Sequence, residues 1–103
     1  MPKDQNPFRS ETIGDEGAPE VIYELSSKKR VKVGVWPECN LLLVDIREYY
    51  LDRYGYEKPG TKGIALTVQQ FERLSDSIAD IDDDVYEMQS QMNSSRLDSS
   101  FIS

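Results

Sequence analysis

Apolar and polar positions change period once along the chain, from two to about 3.5, which divides its patterned part into a sheet half and a helix half. Val21–Leu25 reads as a first strand. After the Ser26-Ser27 break, Arg30–Trp36 alternates strictly, with Val31, Val33 and Val35 on one face and Arg30, Lys32, Gly34 and Trp36 on the other. Pro37-Glu38-Cys39-Asn40 supplies turn chemistry, and Leu41–Tyr50 follows as a long strand with Leu42, Val44 and Ile46 sharing one face. Gly55 and the Lys58-Pro59-Gly60-Thr61 segment predict a tight connection into a short fourth strand over 62–66.

Thr67, with Gln70 three residues on, has the capping-box arrangement that opens a helix, and the helix is expected over 68–88. Phe71, Leu74, Ile78, Ile81, Val85 and Met88 recur at alternating spacings of three and four, which places them on one narrow seam. Two partners for that seam are open and compatible: a face of the sheet, and a symmetry mate. Residues 1–19 carry Pro, Gly and scattered charges without periodicity and are expected to form a disordered acidic tail; 89–103 is expected to be a Ser-rich C-terminal tail. The domain between them, 20–88, is small enough to bury only about 60% of its unfolded surface, so dimerisation is expected.

Composition narrows the chemistry. No His is present and Cys39 is alone, which removes histidine general-base catalysis, Cys/His zinc sites and an internal disulfide, and suits a reducing, intracellular compartment. Asp80, Asp82 and Asp84 have the spacing of a calcium loop, but Val85 stands where that loop needs Gly and Gln91 where it needs Glu. No nucleophile with its base and no phosphate-binding Gly-rich loop is found, so neither catalysis nor a metal or other cofactor is expected. The chain start lacks the apolar run of a signal peptide, and no stretch approaches about 18 consecutive apolar residues; neither membrane insertion nor secretion by the usual route is expected.

A formal charge of -7 argues at first against nucleic acid, but it is unevenly spread. Residues 20–63 hold eight Lys and Arg against seven Asp and Glu, a net +1, whereas 64–103 carry -6 and 1–19 carry -2. In the sheet half, cations interleave with rings: Arg30, Lys32 and Trp36; Arg47, Tyr49 and Tyr50; Arg53, Tyr54 and Tyr56. Cations that hold phosphates beside rings that stack bases are what a single-strand platform requires.

Three segments carry a resemblance: Leu43-Val44-Asp45-Ile46-Arg47-Glu48-Tyr49-Tyr50, Lys58-Pro59-Gly60-Thr61-Lys62-Gly63-Ile64 and Ser77-Ile78-Ala79-Asp80-Ile81-Asp82-Asp83. In this order and spacing they closely resemble the positive cofactor four family of transcriptional coactivators, from about Arg30 to Met88. The resemblance implies an α+β fold, a curved four-stranded antiparallel sheet followed by one C-terminal helix, assembled as a homodimer through the helices, here Phe71, Leu74, Ile78, Ile81 and Val85. It also implies a nuclear protein that binds single-stranded or melted DNA on the sheet side and links activators with the RNA polymerase II machinery.

Carried over by position, the family's strand arginine is Arg47, its stacking tryptophan is Tyr50, its two lysines around the Pro-Gly turn are Lys58 and Lys62, and its aromatic at the end of the second strand is Trp36. Arg30 and Lys32 join them as phosphate contacts. The family's basic hairpin is replaced by Pro37-Glu38-Cys39-Asn40-Leu41, without Lys or Arg, and Thr61 stands where an arginine is usual. Fewer phosphate contacts predict weaker binding, with Lys28-Lys29-Arg30 as compensation. RNA is an alternative ligand to DNA. The competing expectation is a homodimeric protein-interaction module of the same fold with little or no nucleic-acid affinity.

Overall fold

The computed structural model describes residues 6–14 and 17–102, with side chains described as far as Ser94. Five strands precede one helix: β1 Arg9–Ile13, β2 Pro19–Glu24, β3 Lys29–Trp36, β4 Leu41–Leu51, β5 Glu57–Thr67 and α1 Val68–Ile102. The strands form one antiparallel sheet in chain order. The expected antiparallel sheet followed by a helix is therefore present, with one strand more than expected.

That strand, β1, lies in the segment expected to be a disordered tail. It pairs with β2 from Arg9 opposite Tyr23 to Ile13 opposite Pro19. The Gly residues that suggested disorder instead make a hairpin: the Gly14 amide donates to the Ala18 carbonyl at 2.7 Å, and Gly17 sits at a φ of 79°, open only to a residue without Cβ strain. Composition missed it because a short edge strand gains its stability from the neighbour it pairs with rather than from its own periodicity. Residues 1–5, 15 and 16 of the expected tail lie outside the described residues.

The second correction concerns Lys58-Pro59-Gly60-Thr61, expected as a turn and found within β5. The turn is Asp52–Tyr56, closed by backbone bonds from Asp52 to Tyr56 and from Gly55 to Asp52, while the Asp52 carboxylate accepts from the Tyr54 and Tyr56 amides, each at 2.9 Å. The register explains the Pro-Gly segment. Arg47 pairs with Gly63, but Tyr49 pairs with Pro59, so Gly60, Thr61 and Lys62 oppose Glu48 alone and form a bulge. Pro59 is tolerated because β5 is at a sheet edge. Gly63 is required by contact: a Cβ there would lie 2.6 Å from the Ile46 carbonyl oxygen and 2.8 Å from the Arg47 Cα.

In the sheet, Val44 is buried, but Val35, Leu42 and Ile64, apolar residues of β3, β4 and β5, remain exposed. The helix opens as expected: the Thr67 amide donates to Gln70 Oε1 at 3.0 Å and the Gln70 amide to Thr67 Oγ1 at 3.2 Å. It continues past Met88 to Ile102, because the Ser-rich stretch contains no Pro or Gly to stop it. Phe71, Ile78, Ile81, Val85 and Met88 are exposed along it, and Met92 extends their spacing by one more step. No helix of the described residues is long and apolar enough to cross a membrane.

Candidate nucleic-acid interface

β3 supplies the spine of the site. Its alternation places Arg30, Lys32, Gly34 and Trp36 on one face, and the register sets Arg47, Asp45, Leu43 and Leu41 opposite them on β4. Across the other edge of β3, Glu20 of β2 pairs with Gly34 and Glu24 with Arg30. Arg30, Lys32, Trp36 and Arg47, four of the expected contact residues, therefore share a face.

Two of the cations sit over rings. Lys32 Nζ lies 4.7 Å from the centroid of Trp36, and the Arg30 guanidinium carbon lies 4.9 Å from that of Tyr49. Each cation also holds a carboxylate. Glu20 reaches Lys32 at 3.0 Å, passing over Gly34, where a Cβ would stand 3.4 Å from the Glu20 Cγ. Glu57, at the start of β5, accepts from both terminal nitrogens of Arg30, from Nη2 at 2.9 Å. The hydrogen bond from Arg30 holds the Glu57 carboxyl below its ordinary range, and the same bond raises the Arg30 guanidinium. Burial raises the Tyr49 hydroxyl, with the nearby Lys32 acting in the opposite direction.

Arg47 is anchored differently. Its Nε donates to Asp45 Oδ2 at 2.9 Å, Nη2 to Asp45 Oδ1 at 3.0 Å, and Nη1 to the Gly60 carbonyl at 2.9 Å. Asp45 is buried, so Arg47 neutralises an interior carboxylate and ties β4 to the β5 bulge. One N–H on each terminal nitrogen remains for a ligand.

Tyr50, exposed, is the cross-strand neighbour of Lys58, whose ammonium lies 3.9 Å from Asp52. Tyr50 and Lys62 line one shallow cleft of about 280 Å³ along the bulge, with Tyr49 and Gly60. Trp36 and Lys32 line another, of about 170 Å³, between the β1–β2 and β3–β4 turns. Lys62 has no ion-pair partner among the described residues. The expected residues thus fall into two patches, one around Trp36 and Arg30 and one around Tyr50 and Lys62.

Sequence reasoning missed Tyr49 as the ring beneath Arg30, and it missed Glu20 and Glu57. Tyr49 was legible as a neighbour of Arg47 on a basic-aromatic strand; the two glutamates were not, because their partners come from other strands. The β3–β4 turn carries no cation, as its sequence requires, and Asn40 closes it at a φ of 52° with its amide on the Trp36 carbonyl. Among the described residues no group of three or more Cys, Asp or Glu side chains gathers as a metal site.

Comparison with known proteins places this arrangement. Residues 23–77 match the family described as Transcriptional Coactivator p15 (PC4). The chain is 43% identical over 67 residues to the RNA polymerase II transcriptional coactivator SUB1 of Saccharomyces cerevisiae, covering 64% of this chain and 22% of that protein. It is 35% identical over 74 residues to a putative RNA polymerase II transcriptional coactivator of Neurospora crassa, covering 72% and 41% respectively. It is 37% identical over 62 residues to the coactivator KIWI of Arabidopsis thaliana, covering 60% and 55%. The aligned region is thus less than two thirds of each of these relatives. Two solved structures are similar, each at 34% identity. A MoSub1–DNA complex has a TM-score of 0.61 and covers 75% of this chain and 92% of that one. A MoSub1–ssDNA complex has a TM-score of 0.63, with coverage of 82% and 94%.

Proposed function

The chain belongs to the transcriptional coactivator p15 (PC4) family, and from that membership and the geometry of its sheet we propose that it binds single-stranded or melted DNA as a coactivator of RNA polymerase II. The observation that carries the reading is the seating of Lys32 over Trp36 and Arg30 over Tyr49 on one sheet face. A base stacks on either ring as the cation now lying over it moves aside onto the phosphate, which keeps ring and charge within one nucleotide of each other. Tyr50 and Lys62 line a second cleft at the bulge, Arg47 adds charge where it reaches the Gly60 carbonyl, and Lys58 stands opposite Tyr50. A surface that takes unpaired strands and not paired ones stabilises melted DNA by mass action, which is the chemistry a promoter-opening cofactor needs.

The working unit in this proposal is a homodimer in the nucleus, joined along Phe71, Leu74, Ile78, Ile81 and Val85; the exposure of all of these but half-buried Leu74 in one chain supports a second copy as partner. Activators and the transcription machinery are its protein partners, the acidic helix is the surface offered to them, and no reaction is catalysed. One observation favours the second reading, a protein-interaction module with little nucleic-acid affinity: Arg30, Lys32, Arg47 and Lys58 already lie beside carboxylates.

Trp36 is the single tryptophan, so its emission tests the proposal directly. Saturation with oligo-dT should quench it through stacking, and Lys32→Ala with Arg30→Ala should abolish the change. Binding without any change at Trp36 would move the site away from this face.

A further inference from the structure

We propose that Glu20 and Glu57 set the affinity and the single-strand selectivity of this surface, each as a resident anion that an incoming phosphate displaces; the inference rests on the nucleic-acid reading above. The same three-part unit occurs twice. Glu20 from β2 holds Lys32 over Trp36, and Glu57 from β5 holds Arg30 over Tyr49. In both cases the carboxylate comes from a different strand than the cation, so neither pairing is a consequence of local sequence. Glu57 takes both terminal nitrogens of Arg30, the two-oxygen fork that the non-bridging oxygens of a phosphodiester also match. Gly34 leaves the space over which Glu20 lies.

The Arg30 side chain is only 13% exposed, so a phosphate reaches its fork chiefly by taking the place of Glu57, which is 54% exposed and can turn into water. That exchange swaps one anion for another and gains little by itself. A strand with an unpaired base gains more, because the base stacks on Trp36 or Tyr49 as the phosphate takes the cation. Duplex DNA keeps its bases paired, and heparin has none. The two carboxylates therefore act against polyanions that bring charge without an exposed ring, a repulsive element that creates specificity.

The test compares binding of oligo-dT, a duplex of equal length and heparin to the wild-type chain, Glu20→Gln, Glu57→Gln and the double variant. Glu11→Gln serves as control, because Glu11 pairs with Arg9 on β1, away from both rings. Gln retains shape and an acceptor oxygen, and thermal melting verifies that each variant is folded. Each single change at Glu20 or Glu57 should tighten oligo-dT about threefold and the double about tenfold, within the range of exposed ion pairs. Duplex and heparin should gain more than oligo-dT, so the preference for single strands falls, while Glu11→Gln changes oligo-dT less than twofold. Equal gains at Glu11, a loss of affinity, or an unchanged preference would overturn the inference while leaving the function intact. Failure of every protein in the set to bind oligo-dT at low salt would overturn the function and the inference together.

Discussion

Arg47 donates through Nη1 to the carbonyl of Gly60 at 2.9 Å, so one side chain links the middle of β4 to the bulge in β5. The same guanidinium neutralises buried Asp45. Arg47→Ala should destabilise the fold by about 3 kcal/mol, because it leaves a buried carboxylate unpaired and frees the bulge. Arg47→Ala combined with Asp45→Ala should cost less than the sum of the two, which denaturant unfolding of the four proteins in the cycle measures.

Gly63 stands against the backbone of Ile46 and Arg47, where a Cβ has no room. Gly63→Ala should therefore cost about 1 to 3 kcal/mol by overpacking and should loosen the β4–β5 ladder first. Hydrogen exchange at the Ile46 and Ile64 amides, paired across that ladder, should accelerate more than at Val33 on β3. Gly55, with nothing nearby but a φ of 85°, should give a smaller loss, about 1 kcal/mol, on change to Ala.

Much of this was legible in the sequence for local reasons. The alternation of Val31, Val33 and Val35 against Arg30, Lys32 and Trp36 marks β3 and its basic-aromatic face, and Thr67 with Gln70 marks the helix start to the residue. What escaped depends on pairing between strands. β1 has too few residues to show a period, and Pro59-Gly60 reads as a turn until the register shows it opposite Tyr49 and Glu48. Glu20 and Glu57 are not singled out by the sequence because nothing in their own neighbourhood names Lys32 or Arg30 as a partner.

The capping box should be worth a measurable amount in the intact protein. Thr67→Ala removes the acceptor for the Gln70 amide and should lower stability by about 1 kcal/mol, read from the thermal midpoint.

The Arg30–Glu57 pair has a signed pH dependence. The Glu57 carboxyl lies below its ordinary range because Arg30 donates to it, so the pair's contribution is present above the unfolded glutamate pKa and is lost as pH falls through the lowered folded value. Stability of wild type and Glu57→Gln should converge as the pH is taken down through that window, and remain apart at neutral pH. Thermal midpoints of both proteins across the acid range check this.

The helix seam carries the assembly claim. Sedimentation at micromolar concentration should give a dimer for the wild-type chain, and Ile81→Glu, which places a charge at a seam position flanked by Asp80 and Asp82, should give a monomer. A wild-type monomer would remove the homodimer from the account.

The central claim is that the sheet holds unpaired strands through phosphate contacts beside stacking rings. Titration of a labelled oligo-dT at several salt concentrations tests it most directly. With about four phosphates neutralised, the logarithm of the binding constant should fall against the logarithm of salt with a slope of about -3. Absence of binding at low salt, or binding that does not change with salt, would contradict it.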